Sequence, residues 1–169
     1  MTNSESPNGD KKVISKSVQR LLGTGDTANG WLSFWRTSKT RATADQIREL
    51  QCNESLKDRY VVVDVRAKAE SDVSIIPGAI TKAEFGQTKT EHVGKTIIAY
   101  CTIGFRSGLY VKSLKRNGWN AWNYRGSIID WCENKFPLAT LDSEATNRVH
   151  TYNRWYSVPD EYVAVPERK

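Results

Sequence analysis

Thr96-Ile97-Ile98-Ala99-Tyr100-Cys101-Thr102-Ile103-Gly104-Phe105-Arg106-Ser107 is an apolar run that ends at a cysteine, a short glycine-bearing loop and the opening of a helix. An uncharged run of this kind suits a parallel strand buried on both faces. A helix is expected from about Ser107 to Asn117, with Tyr110, Val111 and Leu114 inward and Gly118 at the C′ position. Upstream, Tyr60-Val61-Val62-Val63 is a second such run, ending at Asp64. Thr43 with Gln46 has capping-box spacing ahead of the apolar pair Ile47 and Leu50. Pro77-Gly78 marks a turn before a short strand at Ala79-Ile80, and Trp119 to Tyr124 reads as a further strand. Gly126-Ser127 then opens a helix carrying Ile128, Ile129 and Trp131. Strands alternating with helices predict an α/β domain with a largely parallel sheet. Ligands of such sheets bind beyond the carboxyl ends of the strands, so Asp64 and Cys101 are expected at one edge.

The chemistry is expected at Cys101. The first N–H groups of a helix lack intrahelical partners, and the macrodipole is positive there. A thiolate and a bound anion both gain from that setting, and a cysteine beside it has a lowered pKa. Gly104 permits positive φ, which lets successive N–H groups curl into an anion nest. Arg106 can grip an oxyanion with two donors. Thr102, Ile103, Gly104, Phe105, Arg106 and Ser107 are therefore the expected substrate-binding residues around a nucleophilic Cys101. The competing reading is a small apolar cysteine packed at a strand end; the glycine and arginine in the loop favour function.

Composition narrows the setting. The chain has 169 residues and a net charge of +6, which suits one domain with modest extensions. Cys52, Cys101 and Cys132 are odd in number and have no CxxC spacing, which argues against a disulfide framework and a zinc site. No metal or other cofactor is expected. No stretch approaches the roughly 18 apolar residues of a membrane span, and the polar start shows no secretory signal. A cytoplasmic location is expected, with an organelle left open. A basic chain attracts anions, but no nucleic-acid recognition motif accompanies the charge. Residues 1–40 read as an extension, partly disordered, with a short helix through Ile14, Val18 and Leu21 and an apolar patch at Trp31, Leu32, Phe34 and Trp35. Residues 41–138 form the expected domain, and 139–169 a tail packed on it.

Residues 41–138 resemble a rhodanese, or sulfurtransferase, domain. The matching landmarks are Val62-Val63-Asp64-Val65-Arg66, Ile76-Pro77-Gly78-Ala79, Ile98-Ala99-Tyr100-Cys101 with its loop, Gly118, Gly126-Ser127-Ile128, Trp131 and Pro137-Leu138. The resemblance implies a five-stranded parallel sheet flanked by helices on both faces, and a six-residue active-site loop, here Cys101 to Arg106. It implies that Cys101 takes sulfane sulfur from a small anionic donor such as thiosulfate, or from a persulfide. The resulting persulfide would pass the sulfur to a thiophilic acceptor, a protein among the candidates. Related phosphatases and arsenate reductases carry one residue more between Cys and Arg, so the shorter loop argues for sulfur. The alternatives are phosphatase or arsenate reductase activity, and a non-catalytic interaction module. Three departures stand out: Ser74-Ile75 replaces the usual Gly-His, Ser127 replaces the second glycine of a Gly-Gly pair, and Thr102 and Phe105 are uncharged. Val149-His150-Thr151-Tyr152 resembles a tail of some single-domain members.

The supporting residues are Asp64, Arg66 and Arg125. Asp64 has two readings: an acceptor for loop N–H groups or Arg106, or a cap on local backbone. Arg66 is expected to be structural, ion-paired with a carboxylate such as Glu70. Arg125 lies near the site edge, as an anion-steering or a solvated side chain. Cys132 reads as a resolving thiol for Cys101 or, more simply, as a packed cysteine, and Cys52 as packed. Tyr100 and Phe105 flank the loop as pocket walls, with core packing an equal account of Tyr100.

Overall fold

The computed structural model describes residues 14–23 and 41–166. The expectations for residues 1–12 and for the patch at Trp31 to Trp35 lie outside them. Helix α1 (Lys16–Leu21) buries Val18 and Leu21 and is capped by the Ser15 hydroxyl. Ser15 also donates through its N–H and its hydroxyl to the carboxylate of Glu49, which ties this helix to the next.

Five strands form one parallel sheet: β1 (Arg41–Ala42), β2 (Tyr60–Asp64), β3 (Ile80–Thr81), β4 (Thr96–Tyr100) and β5 (Ala121–Tyr124). Their order is β1-β5-β4-β2-β3, and every pairing is parallel. The helices are α2 (Ala44–Gln51), α3 (Lys68–Ser71), α4 (Lys82–Gln87), α5 (Phe105–Arg116) and α6 (Ser127–Glu133). Thr43 caps α2 with the reciprocal Thr43–Gln46 bonds that its spacing announces.

Successive strand residues point to opposite faces. Val62, Ile98, Tyr100 and Tyr124 join one apolar cluster with Ile47 and Leu50 of α2 and Ile128 and Trp131 of α6. Val61, Val63, Ile97 and Ala99 join the other with Phe85, Val111 and Leu114. Both faces are thus covered, which is why β2 and β4 read as unbroken apolar runs. Burying such a Val, Leu or Ile stabilises by about 1.5–3 kcal/mol each.

Helix α5 begins at Phe105, two residues earlier than expected. Gly104, at φ +88°, is its N-cap, so the left-handed turn falls inside the loop. The tail adds β6 (Leu138–Ala139) antiparallel to β7 (Ala145–Thr146), and β8 (Arg148–Tyr152) parallel to β9 (Val163–Pro166). Val149 of β8 is wholly buried in the first cluster. Among the described residues, no helix is long and apolar enough to cross a membrane.

Candidate active site

The end of β4, the start of α5 and the turn from β5 into α6 converge on Cys101. The thiol is 1% exposed. Its Sγ accepts the Gly104 N–H at 3.1 Å and faces the Ser107 hydroxyl at 3.5 Å. Burial pushes the thiol up, but bonds from the Ser107 hydroxyl and from the N–H groups of Ser107, Ile103 and Gly104 outweigh it, and the net shift is downward. The loop is therefore a nest whose first occupant is the protein's own sulfur.

Gly104 is indispensable to this shape. A Cβ built there would sit 2.1 Å from the carbonyl oxygen of Arg125. Asn123 of β5, which sequence reasoning did not single out, holds the loop from the other side. Its Nδ2 donates to the Gly104 carbonyl at 3.1 Å, and its Oδ1 accepts from the Ser107 hydroxyl at 2.8 Å. That hydroxyl has one proton for two acceptors, Asn123 and Cys101.

Ser127 adopts φ +58°. A glycine there would take this conformation without strain, and a side chain costs on the order of 1–2 kcal/mol. The hydroxyl compensates. It accepts the Cys101 N–H at 3.0 Å and donates to the Tyr124 carbonyl at 2.8 Å. The N–H groups of Ile128 and Ile129 bind the carbonyls of Cys101 and Thr102.

The charged residues are paired differently from expectation. Arg106 does not stand open to an oxyanion: its Nη1 and Nη2 donate to the two Glu70 oxygens at 2.6 and 2.7 Å. Thr102 closes the triangle, accepting from Arg106 at 2.9 Å and donating to Glu70 at 3.0 Å. Arg66 pairs with Asp64, not Glu70, through Nε and Nη2 in full burial. Asp64 accepts nothing from the loop or from Arg106; it takes the Arg66 N–H and the hydroxyls of Tyr100 and Ser71. Tyr100 is core, its hydroxyl also receiving the Ile76 N–H. Phe105 is 71% exposed. The Arg125 side chain is exposed, while its backbone abuts Gly104.

Glu70 is the residue that sequence reasoning placed with the wrong partner. The only local sign was its position three residues after Ala67, whose N–H it accepts. Burial raises its pKa, but hydrogen bonds from Arg106 and Ala67 dominate and lower it to about 2. A depressed carboxylate pKa means stability that is full above the unfolded value and is lost as pH falls through the folded one. Glu70→Gln is expected to lower stability by about 1–3 kcal/mol at neutral pH, discounted for the partly exposed Arg106. The deficit should shrink between roughly pH 4.5 and pH 2, read by urea unfolding at stepped pH. A deficit that does not change with pH would show that the ion pair contributes nothing.

Cys132 is buried, which pushes its thiol up to about 12, so it is poorly suited to act as a resolving thiolate. Cys52 is exposed rather than packed. His150 is buried, and its Nδ1 accepts the Tyr152 N–H at 3.1 Å. Tyr152 in turn lies 5.3 Å from the Arg106 guanidinium carbon, bringing the tail to the loop. Clefts open elsewhere, one of about 480 Å³ lined by Arg48, Gln51, Lys57 and Tyr60 at the opposite end of β2. Among the described residues, no cluster of three His, Cys, Asp or Glu side chains could hold a metal.

The family model described as "Rhodanese-like domain" matches residues 43–134, more than half of the chain. No curated protein matches the sequence. Among solved structures, the chain is similar to the BH2092 protein of Bacillus halodurans, at 17% identity and a TM-score of 0.54, over 68% of this chain and 87% of that one. It is similar to a thiosulfate sulfurtransferase from Pseudomonas aeruginosa, at 21% identity and a TM-score of 0.53, over 67% of this chain and 22% of that one. A protein of unknown function from Rhodopseudomonas palustris, called a possible tyrosine phosphatase, matches at 18% identity and a TM-score of 0.51, over 77% and 99%. These likenesses show the fold.

Proposed function

The chain belongs to the rhodanese-like domain family, and from that premise we propose that it moves sulfane sulfur through a persulfide on Cys101. The observation that carries this reading is the convergence of the Gly104 N–H, at 3.1 Å, and its neighbours on a single sulfur atom. Such a nest favours one negative charge on Cys101. It holds the thiolate that attacks, and it receives that thiolate again when sulfur departs.

In the first half-reaction, the Cys101 thiolate attacks the outer sulfur of the donor. A new S–S bond forms, the donor's S–S bond breaks, and its electron pair leaves with the donor as sulfite or a thiolate. In the second, a nucleophilic acceptor attacks the terminal sulfur. The bond to Sγ breaks, and its electron pair restores the Cys101 thiolate. Neither half needs a general base once the thiol is ionised.

Arg106 weighs against phosphate or arsenate as substrate. Two of its three nitrogens are committed to Glu70, so the loop lacks the free guanidinium clamp that a phosphoryl or arsenyl transition state calls for, whereas attack on the outer sulfur of a donor makes no such demand.

The experiment is intact-protein mass spectrometry after incubation with thiosulfate or a low-molecular-weight persulfide. The expected result is a gain of one sulfur atom that cyanide removes. No adduct from either donor would overturn the proposal.

A further inference from the structure

The helix that starts at the Cys101 loop presents a surface that the chemistry does not use. Phe105 and Leu109 are 71% and 58% exposed, and Ile103 is 43% exposed. Positions 105, 109, 112 and 116 share one helical face. That face carries Phe105 and Leu109, then Lys112 and Arg116, and lies opposite the buried Ser107, Val111 and Leu114. The apolar half adjoins Cys101, and the basic half runs away from it. Between Cys101 and Arg125 the sequence contains no Asp or Glu. Half-exposed Tyr152 of the tail lies against Arg106 of the same loop.

Clustered apolar side chains in water mark a contact surface. A small donor has no use for side chains this large and this far outside the buried thiol. A protein surface answers both features: an apolar side chain for Phe105 and Leu109, and carboxylates for Lys112 and Arg116.

Resting on the persulfide reading above, we propose that the Phe105–Leu109–Lys112–Arg116 stripe docks a partner protein that accepts sulfur on its own cysteine, from a surface where apolar and acidic side chains lie together. The partner's thiol first loses its proton to solvent. Its thiolate then attacks the terminal sulfur of the Cys101 persulfide. An S–S bond forms on the partner, the S–S bond at Cys101 breaks, and the electron pair returns to Sγ. The exchange balances without an oxidant or reductant.

The test uses the full chain loaded with sulfur at Cys101 and two synthetic thiol peptides of equal length. One has leucine and glutamates around its cysteine, and the other has lysines in place of the glutamates. Discharge of the persulfide is followed by mass spectrometry. At low salt the acidic peptide is expected to act about tenfold faster, with the preference fading as salt rises. Lys112→Glu with Arg116→Glu should reverse the preference. Phe105→Ala should slow the acidic peptide about fivefold, each variant keeping the parent melting temperature. Equal rates for the two peptides, or rates indifferent to all these substitutions, would overturn the docking while leaving the persulfide reading intact. A dimer in sedimentation that Phe105→Ala dissolves would also overturn it, because a second copy would then fill the stripe. Failure of Cys101 to load from any donor would remove the persulfide reading, and the docking with it.

Discussion

Cys101→Ser is expected to take up no sulfur from thiosulfate or from a small persulfide, and transfer activity should fall by about 10³-fold or more, the scale seen when a covalent nucleophile is removed. The argument is geometric as well as chemical. A serine oxygen would occupy the same nest, with the same N–H groups of Gly104 and Ser107 around it, yet an aliphatic hydroxyl stays protonated at neutral pH. The nest lowers a thiol, which needs only a small shift to ionise near pH 7. The variant should melt as the parent does, because the two side chains are close in size and the loop is held by Asn123 and Ser127 rather than by sulfur. The other thiols serve as internal controls. Cys52 is exposed, so Cys52→Ser should retain the full cyanide-labile adduct. Cys132 is buried and shifted up to about 12, so it should stay unmodified. An adduct of equal size on Cys101→Ser would mean that sulfur is carried elsewhere.

Asp64→Ala should cost the most stability of any single change at the site, about 3–5 kcal/mol, because it leaves a buried guanidinium without its counter-charge. Arg66 has two nitrogens on this carboxylate, and its Nη1 already lacks a partner. The same substitution strands the hydroxyls of Tyr100 and Ser71, both buried. Against a domain stability of roughly 5–15 kcal/mol, this is about a fifth of the whole or more. Asp64→Asn should lose less, since an amide oxygen keeps one acceptor for Arg66. Urea unfolding of both variants gives the comparison. A loss below about 1 kcal/mol for Asp64→Ala, the ordinary size for a point substitution, would show that the carboxylate is not what neutralises Arg66.

The two predictions separate roles that chain position does not. Asp64 and Cys101 both lie at the carboxyl edge of the sheet, as topology requires, yet only Cys101 faces the loop's N–H groups. In the sheet register Asp64 stands beside Tyr100, not beside the loop. A strand-end aspartate in the sequence carries no mark that distinguishes these cases. Arg66 and Arg106 likewise have Asp64 and Glu70 within reach of the same reading. Only their placement shows that the first arginine takes the nearer carboxylate, and that the loop arginine takes the other.

What the sequence determined by itself was local and periodic. The runs 60–64 and 96–100 had to be strands covered on both faces, because they carry no polar side that water could solvate. A cysteine ahead of Gly104 and a helix had to meet unpaired N–H groups, because every helix N-terminus exposes them. Thr43 and Gln46 announced their cap within four residues. What only the tertiary structure decided were the partnerships across the chain. Arg106 meets Glu70 from 36 residues away, Ser127 meets the Cys101 N–H from 26, and Tyr152 of the tail meets Arg106. The physical reason is range. Helix caps and strand faces follow from neighbours along the backbone. Hydrogen bonds and ion pairs follow from distance in space, and the order β1-β5-β4-β2-β3 sets that distance.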